Sequence, residues 1–167
     1  MQSHDPILPA VAYRAWAWHR AGEAGELTLE SRPLREPGPG EVLVANRLVA
    51  LNPVDWKTIE WAHPSWRPVQ VPGVDGMGRI VARGAGVQLP LGMRVAYHQS
   101  LARDGSFAEY TCLAADAVLP VPAGVSDEVA AGVPCLGFDR RRTRARQTPA
   151  QPVGSDVHTA KRTRPTP

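Results

Sequence analysis

Closely spaced glycines and prolines punctuate this chain, and they limit what it can fold into. The sequence has 15 Gly and 17 Pro among 167 residues, well above the combined share of roughly 12% in an average globular protein. Glycine favours turns and proline interrupts regular elements, so long helices and long strands are both disfavoured. The stretches between them are short and rich in Val, Leu and Ala, which predicts a mainly β fold with a few short helices.

Seven of these stretches predict strands. The third is apolar on both faces, which is typical of a central strand that is covered on both sides. Short strands separated by Gly/Pro turns favour a closed or partly closed β-barrel over a sandwich with long strands. The predicted strands are residues 13–18, 27–31, 41–51, 79–83, 94–97, 107–113 and 117–121.

Two stretches carry the signals of a helix start. Asn52 is a good N-cap and Pro53 fits the first helical position, so a helix is predicted over residues 52–61. Ser126 is a second N-cap, and the two acidic residues after it suit the first turn of a helix within residues 127–136. Gly132 and Pro134 are expected to end this helix early.

The charge of the chain is concentrated at its C-terminal end. The whole chain carries +3, but residues 139–167 contain eight basic and two acidic side chains, which leaves the rest net acidic. These last residues contain no aromatic side chain and few apolar ones. Such a segment buries too little surface to offset the entropy of ordering it. We therefore predict a disordered basic tail over residues 139–167, and a flexible N-terminus over residues 1–12.

The basic tail raises the alternative of a nucleic-acid-binding protein. Arginines neutralise phosphates, but the tail offers no aromatic ring for base stacking and the rest of the chain is net acidic. We therefore expect no nucleic-acid partner, and the tail-mediated function stays an alternative. A non-catalytic β-barrel used for protein contacts is a further alternative.

The sequence also bears on the cellular location of the chain. No stretch approaches the roughly 18 apolar residues of a membrane span, and the N-terminus lacks the basic region of a secretory signal. Cys112 and Cys135, the two cysteines, are too few for a disulfide framework or a structural zinc site. We expect no membrane association and a cytoplasmic location.

Three sequence blocks, taken in order, carry a resemblance to a known family. They are LNPVDWK (residues 51–57), PGVDGMGRIVARGAGV (72–87) and GSFAEYTCLAADAVLPVPAGVSDEVAAGVPCLG (105–137). Their order and spacing resemble the N-terminal GroES-like domain of zinc-independent medium-chain dehydrogenases/reductases, a group that includes quinone oxidoreductases. The resemblance covers residues 13–138 and implies a partly open GroES-like β-barrel. It also implies hydride transfer from NADPH to a small-molecule quinone, enone, aldehyde or ketone.

The resemblance makes a prediction about metal binding. In zinc-dependent relatives the position of Asn52 is a cysteine ligand, and a His-Glu pair occupies the positions of Val74 and Asp75. A four-cysteine lobe falls where this chain has residues 97–105, which contain no cysteine. Neither zinc site can form with the usual ligands, so no metal is expected.

The resemblance also selects candidate site residues. It implies that Asn52 and Asp55 contact the cofactor and the substrate, and that Trp56, Trp61 and Asp75 line the substrate cleft. No catalytic residue is assigned. Asn52 and Asp55 also suit a purely structural role at the start of a helix, and the two tryptophans suit a place in the core.

Two neighbouring side chains are further candidates for donating a proton. Tyr97 and His98 lie at the end of a predicted strand, at the depth expected of the cleft. The glycines of residues 84–87 do not form a dinucleotide fingerprint, because the third glycine is missing and no helix follows.

The resemblance ends at Phe138. Family members continue into a Rossmann domain with a glycine-rich pyrophosphate loop, whereas this chain continues into the basic tail. The sudden loss of hydrophobic periodicity indicates a reading-frame shift, as a hypothesis that the neighbouring frames of the coding DNA would test. On this interpretation the cofactor-binding domain and the usual dimer interface are missing, and we expect no activity from the chain alone. The apolar side chains of the second predicted helix would then be partly exposed, namely Val129, Ala130, Val133, Cys135 and Leu136.

Overall fold

The computed structural model describes residues 12–134. The predicted basic tail, the frame-shift hypothesis and Cys135 lie outside these residues. Of the predicted flexible N-terminus, residues 1–12, only Ala12 is described, and it begins the first strand.

Strands dominate the described residues, as the Gly/Pro punctuation predicts. The strands are β1 (Ala12–Ala17), β2 (Thr28–Pro33), β3 (Glu41–Ala50), β4 (Asp75–Arg83), β5 (Arg94–His98), β6 (Tyr110–Ala114) and β7 (Val118–Pro120). The helices are α1 (Pro53–Trp61) and α2 (Asp127–Gly132), with single 3₁₀ turns at Ala24–Glu26 and Ala115–Ala117. The mainly β prediction is confirmed.

Five strands form an antiparallel sheet in the order β6-β3-β4-β5-β7, and β1 and β2 form a separate hairpin. The hairpin joins the segment before β6 through backbone hydrogen bonds. Trp16 N donates to Phe107 O at 2.8 Å, and Glu109 N donates to Arg14 O at 3.0 Å. Within the described residues β6 and β7 are the two edges of the sheet. The partly open barrel is therefore confirmed, and the sheet is not a closed barrel.

The start of β4 differs from the sequence prediction. The prediction begins this strand at Arg79 and assigns the glycines before it to a turn, but β4 begins at Asp75 and runs through them. A Cβ on Gly76 would lie 2.3 Å from the Tyr97 hydroxyl, and one on Gly78 would lie 2.0 Å from the Ala45 carbonyl oxygen. These glycines permit close contact between strands, which a larger side chain would block.

Two other elements are shorter than the ranges predicted for them. β6 begins at Tyr110 instead of residue 107, because residues 107–109 bond to β1. The second helix ends at Gly132, as Gly132 and Pro134 predict, and does not reach residue 136. No helix in the described part of the chain has the length and apolar character to cross a membrane.

The core has two parts that matter for the site. The main cluster lies between the strands of the five-stranded sheet and contains Val42, Val44, Ile80, Val95, Tyr97 and Leu113. A smaller cluster of Trp18, Ile59 and Trp66 holds the buried face of α1 against the hairpin. Ile59 is the apolar residue that anchors α1. This packing fixes the first turn of α1 beside the start of β4.

Candidate active-site cleft

Three polar side chains from three elements meet at one end of the sheet, where β3 and β5 end and β4 begins. Asn52 follows β3, Asp75 opens β4 and His98 closes β5. The antiparallel register places Asp75 opposite Ala50 on one side and opposite His98 on the other. We call Asn52, Asp75 and His98 the polar row.

Hydrogen bonds connect the members of the polar row. Asn52 Nδ2 donates to Asp75 Oδ2 at 3.1 Å, and His98 Nδ1 lies 2.7 Å from Asp75 Oδ1. A carboxylate oxygen accepts, so Nδ1 is the donor of the second bond. The Asp75 side chain is fully buried, whereas the His98 side chain is 40% exposed. The row therefore runs from the interior to the surface, with Asp75 as its inner member.

Asp55 is a buried carboxyl that bonds to the backbone next to the polar row. It is 3% exposed, and it joins the start of α1 to the segment before β4. Its Oδ2 accepts from the Asn52 backbone N at 2.7 Å, and its Oδ1 accepts from the Val74 backbone N at 3.1 Å. Burial raises the pKa of the Asp55 carboxyl and the nearby charge of Asp75 adds to this effect, while the two backbone hydrogen bonds oppose it.

Trp56 and Trp61 lie on the outer face of α1. Their exposures are 49% and 66%, and their rings contact each other with centroids 6.2 Å apart. The ammonium group of Lys57 lies 5.6 Å from the Trp56 ring. The two tryptophans are therefore not core residues. Accessible aromatic faces are what a cleft wall requires, and their role there stays a prediction.

Of the two side chains named as proton donors, the structure leaves only His98 accessible. Tyr97 is fully buried, and its hydroxyl lies 2.7 Å from Asn46 Oδ1 and 3.1 Å from Thr111 Oγ1. Burial raises the pKa of the Tyr97 hydroxyl. Alternate residues of a strand point to opposite faces, so Tyr97 enters the core while His98 points away from it.

The pairing of His98 with Asp75 is the feature that sequence reasoning missed. The two residues are 23 positions apart, and only the register of β4 and β5 brings them together. In the structure each residue lies at a strand end, and both lie at the same end of the sheet. The predicted start of β4 at Arg79 concealed this for Asp75.

The arrangement of ligand-type side chains bears on metal binding. Among residues 12–134 no group of three His, Cys, Asp or Glu side chains is placed to hold a metal ion. The polar row offers one carboxylate and one imidazole, and a tetrahedral zinc site needs three or four protein ligands.

A groove of about 590 Å³ is lined by none of the polar row, although Leu51, the residue before Asn52, lines it. It separates the β1–β2 hairpin from the second half of β3, and its apolar walls include Trp16, Leu29 and Leu48. None of the five residues that the resemblance selects lines this groove.

The fold is that of a GroES-like domain, and the comparisons with known proteins give the same result. The sequence family described as the alcohol dehydrogenase GroES-like domain matches residues 38–123. This match covers just over half of the chain, and the chain belongs to that family.

Curated relatives give the same grouping. A trans-enoyl reductase of Penicillium oxalicum, opdC, is 36% identical over 126 residues, which cover 70% of this chain and 34% of that protein. Prostaglandin reductase-3 of Mus musculus is 38% identical over 93 residues, which cover 54% of this chain and 24% of that protein. The chain spans about a third or less of the length of these relatives.

Solved structures agree on the fold. The quinone oxidoreductase of Pseudomonas syringae superposes with a TM-score of 0.69 at 25% identity, over 75% of this chain and 38% of that one. The quinone oxidoreductase of Coxiella burnetii superposes with a TM-score of 0.71 at 22% identity, over 81% of this chain and 45% of that one.

Proposed function

We propose that this chain forms the substrate-side lobe of a zinc-independent oxidoreductase that reduces a conjugated carbonyl compound or a quinone with NADPH. The observation that carries the proposal is Asn52, whose side chain Asp75 holds at the start of α1. The resemblance places a zinc-ligating cysteine of zinc-dependent relatives at this position. Two relatives are named as reductases, and the name trans-enoyl reductase supports a conjugated substrate.

The polar row fits the nicotinamide end of the cofactor. A nicotinamide carboxamide needs one acceptor and one donor, and an asparagine amide supplies both types of group. Asn52 is half-buried at the start of α1, and Trp56, which is 49% exposed, follows it four residues later. The residues described here include no glycine-rich loop for a pyrophosphate. When bound, NADPH supplies the hydride.

The chain's own residues then bind and orient the substrate. Asp55 fixes the Asn52 backbone and Asp75 fixes the Asn52 side chain, so the amide is held before any ligand arrives. A preorganised donor costs less to use than one that must first be ordered. Trp56 and Trp61 supply an apolar wall against which the carbon skeleton of an enone or quinone packs.

A binding experiment tests this proposal without requiring turnover. The probe is trans-cinnamamide, a conjugated carbonyl compound that reacts slowly with thiols, and tryptophan emission reports its binding. We expect saturable quenching that cinnamyl alcohol, which lacks the carbonyl, reproduces only weakly. Asn52→Ala should weaken the binding of the probe about three- to tenfold, the loss expected for one hydrogen bond.

Gln88→Ala is the matched control. Gln88 is an exposed amide in the loop after β4, whereas Asp75 lies at the start of that strand. The control should bind the probe like the unmodified chain. If the unmodified chain binds none of the probe, the proposal fails and the non-catalytic interaction module becomes the better hypothesis.

A further inference from the structure

We propose that His98 is the proton donor of the reaction and that Asp75 is its positioning residue. This inference rests on the proposed function and extends it by assigning a role to a residue pair. The geometry that carries it is a 40% exposed imidazole whose Nδ1 bonds to a fully buried carboxylate, at the same end of the sheet as Asn52.

The hydrogen bond between the pair fixes the orientation of the imidazole ring. His98 Nδ1 lies 2.7 Å from Asp75 Oδ1, and Asp75 Oδ2 is held from the other side by Asn52 Nδ2 at 3.1 Å. A carboxylate restrained at both oxygens cannot rotate without breaking a bond. The ring is thus held with Nε2 on the side opposite Asp75. This second contact is the kind of outer support that orients functional histidines in enzymes.

Other titratable groups near the pair are less suited to donate a proton. Asp55 of α1 is buried and bonds to two backbone N–H groups. Tyr97 of β5 is enclosed in the core. Lys57 lies over the outer ring face of Trp56.

The proposed step balances in atoms and charge. Reduction of a conjugated double bond adds a hydride from NADPH to the β-carbon, and the π electrons move to the carbonyl as an enolate. Protonated His98 gives its Nε2 proton to the α-carbon, while Nε2 keeps the electron pair of the broken N–H bond. The imidazole becomes neutral and takes a proton from water. Asp75 stabilises the imidazolium before transfer.

Nuclear magnetic resonance of the imidazole nitrogens of the full chain tests this assignment. His98 should show a protonated Nδ1 in its neutral form, and trans-cinnamamide should shift the His98 Nε2 signal. Asp75→Asn should abolish the preference for the Nδ1–H form. His98→Gln should weaken binding of the probe about three- to tenfold, as the loss of one hydrogen bond predicts.

A second histidine–carboxylate pair provides the control. His19 Nε2 lies 2.5 Å from Glu30 Oε1 on the exposed surface of the hairpin, and neither residue belongs to the polar row. His19→Gln should leave probe binding unchanged, and the probe should not shift the His19 signals.

The outcomes separate the two proposals. In one outcome Asn52→Ala weakens binding of the probe, His98→Gln does not, and the probe leaves the His98 signals unchanged. This result would overturn the role of His98 and leave the proposed function intact. An unmodified chain that binds no probe would overturn both.

Discussion

Asp55 of α1 accepts a hydrogen bond from the backbone N of Val74 at 3.1 Å, and this contact fastens the first turn of the helix to the segment that opens β4. The same carboxyl accepts from the Asn52 backbone N at 2.7 Å. One buried side chain thus aligns two of the elements that carry the polar row.

Replacing Asp55 by Ala should destabilise the fold, because the Asn52 and Val74 N–H groups both lose their partner. The expected loss is about 1 to 3 kcal/mol for each N–H group left unsatisfied in the interior. Urea unfolding followed by tryptophan emission measures it. Glu23→Ala, at an exposed acid, should change the free energy of unfolding by much less.

Asp55 should also impose a pH dependence on stability. Burial raises its pKa in the folded state, so the folded chain binds its proton more tightly than the unfolded chain does. The contribution of this group is therefore most favourable below its unfolded pKa, and it declines as the pH rises through the folded value. Asp55→Asn should remove this decline, measured as unfolding free energies across pH 3 to 7. Parallel curves for the two proteins would contradict it.

Glu41 should have the opposite pH dependence. The pKa of the Glu41 carboxyl lies below the usual range, mainly because Arg35 donates a hydrogen bond to it. Further hydrogen-bond partners are Arg103, Gly38 and Cys112. A lowered folded pKa gives stability that is present above the unfolded value and is lost as the pH falls. Glu41→Gln should therefore lose more stability at pH 7 than at pH 3, and a loss independent of pH would refute this.

Gly78 should tolerate no side chain. A Cβ there would lie 2.0 Å from the Ala45 carbonyl oxygen, which belongs to the backbone of the neighbouring strand and cannot move aside. Gly78→Ala should cost about 1 to 3 kcal/mol or more of folding free energy, as overpacking does. Gly124→Ala is the control, because nothing lies within 4 Å of its Cβ position. Similar urea midpoints for the two variants would show that β3 and β4 can separate.

The outer face of α2 should bind an apolar dye. Val129 is 56% exposed and Val133 is 49% exposed, whereas Ala130 and Ala131 are buried. The prediction of an exposed apolar face thus applies to the two valines and is wrong for Ala130. Replacing both valines by Gln should lower the emission of anilinonaphthalene sulfonate, since exposed apolar surface binds it. Unchanged emission would place the dye elsewhere, such as the groove beside Leu29.

Local patterns in the sequence predict most of the elements. Asn52 and Pro53 mark the start of α1, and the doubly apolar stretch of residues 41–51 predicts the central position of β3, because capping and burial depend on neighbouring residues in the chain. The start of β4 could not be predicted this way. Gly76 and Gly78 are strand residues only because Tyr97 and Ala45 approach them from distant positions.

The site was predictable only in part. Asn52, Asp55 and Asp75 lie together, and their roles stay a prediction. The partnership of Asp75 with His98 depends on strand register. The sequence also did not reveal which tryptophans are buried. Trp18 and Trp66 pack together in the core, whereas Trp56 and Trp61 remain exposed. Trp56 and Trp61 are exposed because α1 packs its Ile59 face against Trp18 and Trp66.

The most direct test of the account is to map where trans-cinnamamide changes the amide and indole signals of the isotope-labelled chain. The account predicts the largest changes at Asn52, His98 and the Trp56 indole, with small changes at Gln88. Changes confined to the groove of Trp16, Leu29 and Leu48, or no changes at all, would contradict the placement of the substrate at the polar row.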